Sequence, residues 1–339
     1  MDTDLTSNYL GLTLRNPIVA SASPLSATVI GVRQLHATGA GAIVLPSLFE
    51  EQIRHDMRST ERLSQVGSNS FPEASSYFPD TVRDDGVPHR YLDLIAEARH
   101  AVDIPIIASL NGTTVSGWVD YASQFEAAGA SAIELNFYRI ASSPTATGPE
   151  VEADCIALLK AVRARVKIPI AMKLHPHFSA FGAMARQLDA AGADGLVLFN
   201  RLYQADIDLV RLAWTNDVAL SHPSEIRLGL LWLSQLSGRL SHASLAAGSG
   251  VETVDEVLKY LLAGADVVMT ASALLRHGPG HIRTLLSDLK TWLELRDFKS
   301  VSEIRGLMEA THPVTDTERQ ERGDYIRSLT GYRGPYVRR

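Results

Sequence analysis

A Gly-Ala step that recurs four times, each time before an apolar run, most constrains how this chain can fold. It occurs in HATGAGAIVLPS (36–47), AAGASAIELN (127–136), AAGADGLVLFN (190–200) and LAGADVVMT (262–270). A glycine in the left-handed conformation commonly ends a helix, and a continuous apolar run is typical of a strand buried on both faces. Each copy therefore predicts the end of a helix followed by a buried strand.

A second pattern alternates with the first. VDIPIIASLN (102–111) matches VKIPIAMKLH (166–175), and a proline at this point fits the first residue of a strand. Two further apolar segments, NPIVASAS (16–23) and the run before Gly248, bring the number of predicted strands to about eight, the strand number of a TIM barrel.

The segments between these strands carry apolar residues at three- and four-residue spacing, as in WVDYASQFEAAG, CIALLKAVRARV, GAMARQLDAAG and VDEVLKYLLAG. Alternating strands and helices predict a parallel sheet with helices outside it. An open doubly wound sheet would more often place a glycine-rich turn after its first strand, and NPIVASASP lacks G-x-G-x-x-G. The sequence therefore favours an α/β fold of the closed (β/α)₈ TIM barrel type.

Two regions do not fit the regular units. Residues 49–90 include SQVGSNSFPEASSYFPD, and a long insertion at this point of a barrel is typical of a lid or an oligomer contact. Residues 299–339 begin with the short helical pattern SVSEIRGLM and form a tail that could pack on the barrel or on a partner. We expect one barrel domain over residues 1–298, followed by this tail.

Composition narrows the class of protein. The chain has 339 residues, 45% hydrophobic and 21% charged, with a net charge of −6, which is typical of a soluble globular protein and argues against nucleic-acid binding. The single cysteine, Cys155, excludes an intramolecular disulfide and a cysteine metal cluster. An acidic N-terminus without an apolar run predicts no signal peptide, and no segment is apolar enough to predict a membrane span. We therefore expect a cytoplasmic protein.

Two turns near the end of the chain predict a phosphate site. SLAAGSGVET (244–253) and GADVVMTASALL (264–275) each read as a short strand that ends in small residues and runs into a helix. Backbone N–H groups at such a turn bind phosphate, and a barrel forms a site of this kind after its last two strands. A plain tight turn at AGSG is the alternative. The predicted phosphate ligands are Gly248, Ser249, Gly250, Thr270, Ala271 and Ser272.

The other predicted strand ends carry mostly polar residues, and none of these residues is acidic. In a barrel, chemistry takes place at the carboxyl ends of the strands. Amides offer a donor and an acceptor, so this ring suits a planar, polar, anionic ligand that carries a phosphate. The two asparagines that close equivalent strands could instead cap the next helix. These strand-end residues are Ser21, Ala22, Ser23, Ser47, Asn111, Asn136, Lys173 and Asn200.

Lys173 follows IPIAM, where a strand should be buried. It could stabilise negative charge on a reduced flavin, or form a Schiff base as aldolases do. Alternatively, the strand ends early and the ammonium reaches solvent. His175 and His177 form H-P-H, but no third ligand is apparent, so we interpret them as loop residues and predict no metal site.

Taken together, NPIVASASP, ASLNG, IELNFYR, IAMKLHP, VLFN, AAGSGVET and VMTASALLRHGP resemble the dihydroorotate dehydrogenases in order and spacing. The resemblance covers most of residues 16–294 and is strongest for the class that uses soluble electron acceptors. It implies an FMN-binding barrel that oxidises a CH–CH group in pyrimidine metabolism. It also implies a small-molecule substrate, a soluble electron acceptor or redox partner protein, and a homodimer.

The resemblance also implies roles for the strand-end residues. Ser21, Ala22, Ser23 and Ser47 would line the flavin. Lys173 would face the pyrimidine side of its ring, and the two glycine-rich turns would hold its phosphate. Asn111 and Asn136 would bond the isoalloxazine or the substrate, and Asn200 would touch the substrate or the ribityl chain.

The chain departs from the family pattern on the substrate side. After Asn136 the family usually has S-C-P-N or a serine variant, which carries the catalytic base, whereas this chain has Phe137, Tyr138 and Arg139. Arginine is always charged and is a poor general base. Tyr138 and Arg139 could bind a different anionic substrate, or merely brace the loop.

Two further family features are missing. A second family lysine is replaced within Leu45-Pro46-Ser47, and the family's asparagine-bearing loop is not recognisable in residues 67–80. The sequence therefore predicts an FMN-dependent oxidoreductase that exchanges a hydride with a small, anionic substrate and has lost the usual base. The alternatives are a non-catalytic FMN electron-relay protein and a Schiff-base aldolase-like barrel using Lys173.

Overall fold

Eight parallel strands form a closed barrel, as predicted. The structure, a computed structural model, describes residues 3–52, 86–112, 114–202, 205–215, 219–309 and 317–331. Each strand pairs with its neighbours along the chain, and β8 pairs with β1 to close the ring. The strands are β1 (Ile18–Ala20), β2 (Ala42–Phe49), β3 (Ile106–Asn111), β4 (Ala132–Asn136), β5 (Ile170–Leu174), β6 (Gly195–Leu198), β7 (Ser244–Ala247) and β8 (Val267–Thr270).

Helices cover the outside of the barrel. Their buried faces and the outward-facing strand residues form the larger of two hydrophobic clusters, which includes Cys155. The helices are α1 (Val29–Ala37), α2 (Gly86–Ala101), α3 (Val115–Ala127), α4 (Gly148–Arg163), α5 (Phe181–Ala190), α6 (Ile226–Leu236), α7 (Val254–Leu262), α8 (Ser272–His277), α9 (His281–Leu295), α10 (Val301–Ile304) and α11 (Thr317–Gly331).

The four Gly-Ala steps act as predicted. Gly39, Gly129, Gly192 and Gly264 follow α1, α3, α5 and α7 with φ between 95° and 108°, in the region that favours glycine. After each glycine, the alanine N–H donates to a carbonyl five residues earlier, as Ala265 does to Tyr260 at 3.0 Å. This is the Schellman motif, and the buried alanine then leads directly towards the next strand.

An N-terminal hairpin, Ser7–Tyr9 paired with Leu12–Leu14, closes the end of the barrel where the strands begin. Its Tyr9, Leu10 and Leu14 are buried and pack with inward-facing strand residues in a second apolar cluster. The sequence did not predict this hairpin. Because it fills the floor of the barrel, the open end lies at the carboxyl ends of the strands.

The two irregular regions are described in part. Phe49 ends β2 and Gly86 begins α2, so most of the predicted insertion (49–90) lies outside the described residues. The first part of the tail lies against the floor: Asp4 exchanges backbone hydrogen bonds with Lys299 and Val301 at 2.9 and 3.0 Å. Arg305 forms an ion pair with Asp266 at 2.6 Å.

A second hairpin, Asp206–Asp208 paired with Ala213–Thr215, interrupts the connection between β6 and α6. Four of its large apolar side chains are between 69% and 93% exposed: Leu209, Val210, Leu212 and Trp214. Across the described ranges, the helices are all too short or too polar to cross a membrane.

Candidate functional site

A cavity opens at the carboxyl ends of β5 to β8 and β1. It brings together ten of the residues predicted from the strand ends: Ser21, Ala22, Lys173, Asn200, Gly248, Ser249, Gly250, Thr270, Ala271 and Ser272. Six further residues that were not predicted also line it: Val197, Phe199, Arg201, Ser221, Val251 and Met269. The chemistry-bearing end of the barrel therefore carries a concave site with a polar lining.

The turn after β7 offers backbone donors to this cavity. The Tyr260 hydroxyl lies 3.0 Å from both the Gly248 and the Ser249 carbonyl oxygens. In a trans peptide the next N–H points the opposite way, so the N–H groups of Ser249 and Gly250 point away from Tyr260. Neither N–H has an acceptor within the described part of the chain. An anion in the cavity could accept both hydrogen bonds.

Gly250 cannot be replaced without strain. Its φ is +69°, and a Cβ atom would lie 2.8 Å from the His222 carbonyl oxygen and 2.8 Å from Ile226 Cγ2. Ser249 has a φ of +73°, and its Oγ donates to the Phe199 carbonyl at 3.1 Å. Two successive residues of this turn are therefore held in the left-handed backbone region.

The turn after β8 is tied to the same cavity wall. Ser272 Oγ lies 3.1 Å from the Ser221 backbone N and 2.9 Å from its Oγ. Arg276 donates to the Ser221 carbonyl at 2.7 Å and also pairs with Glu252. These contacts connect the segments after β6, β7 and β8, so the cavity wall is held by side chains from behind.

A polar network crosses the opposite half of the barrel interior. Ser47 Oγ lies 2.8 Å from Ser109 Oγ, which donates to Glu134 Oε1 at 3.2 Å. Lys173 Nζ approaches the same carboxylate oxygen at 3.4 Å. The network therefore runs from β2 through β3 and β4 to β5, and it meets the cavity at Lys173.

Two asparagines extend this network to the cavity. Asn200 Nδ2 donates to Asn136 Oδ1 at 2.6 Å, and Asn136 Nδ2 lies 3.4 Å from Ser47 Oγ. Asn200 lines the cavity, whereas Asn136 and Ser47 lie behind it. Their side chains bond one another rather than capping the next helix.

Glu134 was missed by reasoning on strand ends alone. Its side chain is 1% exposed, two residues before the end of β4, where alternate residues point into the barrel. The signal was present in A-I-E-L-N, because a glutamate within an apolar strand needs a partner. The partner is Lys173, which is 12% exposed. An ammonium group beside a carboxylate is not a nucleophile, and this contact favours an electrostatic role for Lys173 over a Schiff base.

The remaining predicted residues lie outside the cavity lining. Ser23 is buried three residues after the end of β1, and Asn111 is buried at the end of β3. Tyr138 is partly exposed after β4, and Arg139 forms an ion pair with Asp154 of α4 at 2.5 Å. The structure thus holds Arg139 against the outer helix layer.

His175 follows β5 and is buried in an aromatic cluster. Its ring stacks on Phe178, with 4.5 Å between the ring centroids, and its Nδ1 accepts the His177 backbone N–H at 3.1 Å. Burial, and next the neighbouring His177, lower the pKa of His175 to about 4. The ring is therefore neutral at physiological pH and carries its proton on Nε2. Among the described residues, no cluster of three His, Cys, Asp or Glu side chains could hold a metal ion.

Comparison with known proteins agrees with this geometry. The model of the family described as Dihydroorotate dehydrogenase matches residues 82–293, which is more than half of the chain. Two proteins, each named Dihydroorotate dehydrogenase B (NAD(+)), catalytic subunit, are similar over nearly their whole length. The one from Geobacillus kaustophilus is 27% identical over 308 residues, 87% of this chain and 93% of that protein. The one from Methanocella arvoryzae is 27% identical over 316 residues, 89% of this chain and 97% of that protein.

Proposed function

The chain belongs to the dihydroorotate dehydrogenase family, and we propose that it is an FMN-dependent oxidoreductase. The observation that carries this proposal is the cavity itself. It combines a lysine at the end of β5 with a turn that requires glycine and whose two N–H groups have no acceptor among the described residues. A flavin mononucleotide needs this combination: donors for its phosphate, and positive charge beside a ring that becomes anionic on reduction.

Different residues would contact the phosphate and the ring of the cofactor. The turn Gly248–Gly250 and the residues Thr270, Ala271 and Ser272 would hold the phosphate, while Ser21 and Ala22 would line the ring. Lys173 would lie beside the ring and stabilise negative charge there, which is preorganised electrostatic stabilisation. When bound, FMN supplies hydride acceptance from a C–H bond of the substrate. Asn200, oriented by Asn136, offers an amide to the ring or to the substrate.

The residues after β4 differ from the family pattern, and we propose that dihydroorotate is not an efficient substrate of this protein. Oxidising a CH–CH bond also requires a group that takes the proton from the neighbouring carbon. The residue at the family's base position is Arg139, which cannot accept a proton and is paired with Asp154. Tyr138 and Arg139 remain candidates for binding a different anionic substrate.

The first test is the visible spectrum of the purified protein. A flavin absorbs near 450 nm, and the cofactor released by heat can be identified as FMN by chromatography against FMN and FAD standards. Purified protein that is colourless, and that does not bind added FMN, would refute the proposal.

The second test separates the family reaction from a diverged one. Stopped-flow measurement of flavin bleaching by dihydroorotate should give a rate far below that of a family member with an intact base, tested in parallel. An equal rate would show that another group accepts the proton. A screen of small anionic substrates that contain a CH–CH bond would then follow under the same conditions.

The exposed hairpin supports a proposal about partners. A contiguous apolar surface on a protein commonly marks an interaction site. Leu209, Val210 and Leu212 lie in the turn of the hairpin and Trp214 lies on its second strand, and all four are largely exposed. We propose that this hairpin packs against a second copy of the chain in a homodimer. A separate redox partner subunit is the alternative.

A further inference from the structure

Glu134 and Lys173 form an ion pair deep inside the barrel, and the cavity described above does not account for the glutamate. They lie on adjacent strands, where Asn136 is in register with Lys173 and Glu134 is in register with Ala171. Glu134 is therefore one inward-facing position further from the mouth than Lys173. The carboxylate stands behind the ammonium as seen from the cavity.

The carboxylate is held from the side opposite to Lys173. Ser109 Oγ donates to Glu134 Oε1 at 3.2 Å, and Ser47 Oγ lies 2.8 Å from Ser109 Oγ. Glu134 Oε1, the oxygen that faces Lys173, is thus held by Ser109 on the neighbouring strand β3, and Ser109 is in turn bonded to Ser47 on β2. Its second oxygen, Oε2, is buried and has no hydrogen-bond partner in the described ranges.

Stability alone does not explain such a pair. Taking two charges out of water costs about as much as their attraction returns, and apolar residues of similar volume often stabilise a core equally well. The apolar cluster inside the barrel is built in that way, and it includes residues of all eight strands, such as Val44, Ala171, Val197 and Met269. A charged pair beside this apolar cluster therefore points to a requirement of the site.

We infer that Glu134 is a positioning residue that fixes the ammonium group of Lys173 and offsets part of its positive charge at the flavin ring. This inference rests on the proposed function, since it concerns the field at a bound flavin. A lysine has a flexible four-carbon stem, so a fixed oxygen at 3.4 Å restricts where its charge lies. The carboxylate charge lies behind the ammonium and weakens the net positive field in the cavity.

The affinity of the flavin for sulfite tests this inference without a substrate. Sulfite adds to an oxidised flavin and leaves negative charge on the ring, so its Kd reports the positive field there. Glu134→Gln keeps the shape and an oxygen that can accept from Lys173, but it removes the negative charge. We expect the sulfite Kd to fall about tenfold, as for removal of one charge several ångströms away in a partly polar medium.

Three matched variants complete the experiment. Lys173→Met should raise the sulfite Kd by about tenfold or more, because the positive charge is lost. Ser109→Ala removes a neutral hydrogen bond to the same oxygen, and Glu134→Asp keeps the charge. Because both keep the negative charge, neither should show the fall in sulfite Kd expected of Glu134→Gln, and the FMN Kd measured on each variant checks cofactor binding.

The outcomes separate two failures. An unchanged or larger sulfite Kd in Glu134→Gln, with the expected loss in Lys173→Met, would overturn the role of Glu134 and leave the proposed function standing. If Glu134→Gln does not fold, Glu134→Asp provides the test. A tenfold fall in its sulfite Kd, although the negative charge is kept, would overturn the role of Glu134. Absence of FMN binding by the unmodified protein would refute the proposed function, and this inference with it.

Discussion

The two sides of the barrel mouth are built in different ways. On the β7, β8 and β1 side, the cavity is bordered by the turns Gly248–Gly250 and Thr270–Ser272, in which small residues leave backbone N–H groups accessible. On the β2 to β5 side, a network of side chains that bond one another runs from Ser47 to Lys173. A backbone donor survives most substitutions, whereas a side-chain network changes with each one. The proposed cofactor end is therefore built largely from backbone groups, and the proposed substrate end from side chains.

The largest expected effect concerns the exposed hairpin between β6 and α6. Leu209→Asp should raise the Kd of the proposed homodimer by about a hundredfold or more, because a charge would enter an apolar interface. Light scattering after size-exclusion chromatography at several concentrations would measure it. Leu295→Asp, at an equally exposed leucine at the end of α9, should leave the dimer intact. A monomeric unmodified protein would contradict the proposal.

The next effect tests the backbone turn directly. Gly250→Ala should weaken FMN binding by roughly 30-fold, because the left-handed conformation and the two 2.8 Å contacts force the turn to move. Quenching of FMN fluorescence by the apoprotein gives the Kd. Gly280→Ala is the matched control, since a Cβ atom there meets nothing within 4 Å. Equal affinities for both variants would show that the backbone of this turn does not hold the cofactor.

On the other side, His175 makes stability depend on pH. Its pKa is about 4 in the folded protein and near 6.5 when unfolded, so only the unfolded state gains a proton as the pH falls below about 6.5. The free energy of unfolding should therefore drop by about 2 kcal/mol from this group between pH 7.5 and pH 5. Urea unfolding at both pH values would measure the drop. His175→Asn should reduce it, whereas His89→Asn, at an exposed histidine, should not.

The smallest effect concerns Arg139. Its ion pair with Asp154 is largely exposed, so Arg139→Gln and Asp154→Asn should each change the free energy of unfolding by less than about 1 kcal/mol. If Arg139 only braces its loop, both variants should keep the same kinetics with the substrate that the screen identifies. A rise in KM in Arg139→Gln alone would instead assign it to substrate binding.

The sequence predicted the barrel because each unit carries its own local signals. Gly39, Gly129, Gly192 and Gly264 end helices through a backbone conformation that few other residues adopt, and the following apolar runs are short. The place of the turns Gly248–Gly250 and Thr270–Ser272 at the cavity was predicted for the same reason, because each is a run of small residues visible within one segment.

Other features were not predictable because they depend on residues far apart in the chain. The side chain of Glu134 contacts Lys173, 39 residues away, and Ser109 on another strand, which in turn bonds Ser47. The hairpin after β6 has no glycine or proline in its turn, so its two strands resemble an ordinary loop. The N-terminal hairpin buries Tyr9, Leu10 and Leu14 against inward-facing residues of strands that are distant in the sequence.

The contact between Asp4 and Lys299–Val301 joins the beginning of the barrel to its end. The unit from β1 to α10 is thus a ring in connectivity as well as in shape, since its two ends lie side by side on the face away from the cavity. A chain reconnected across this contact and opened at the Gly278–Gly280 turn would preserve every strand pairing. We therefore expect the same cavity to form whichever of the eight units comes first in the chain.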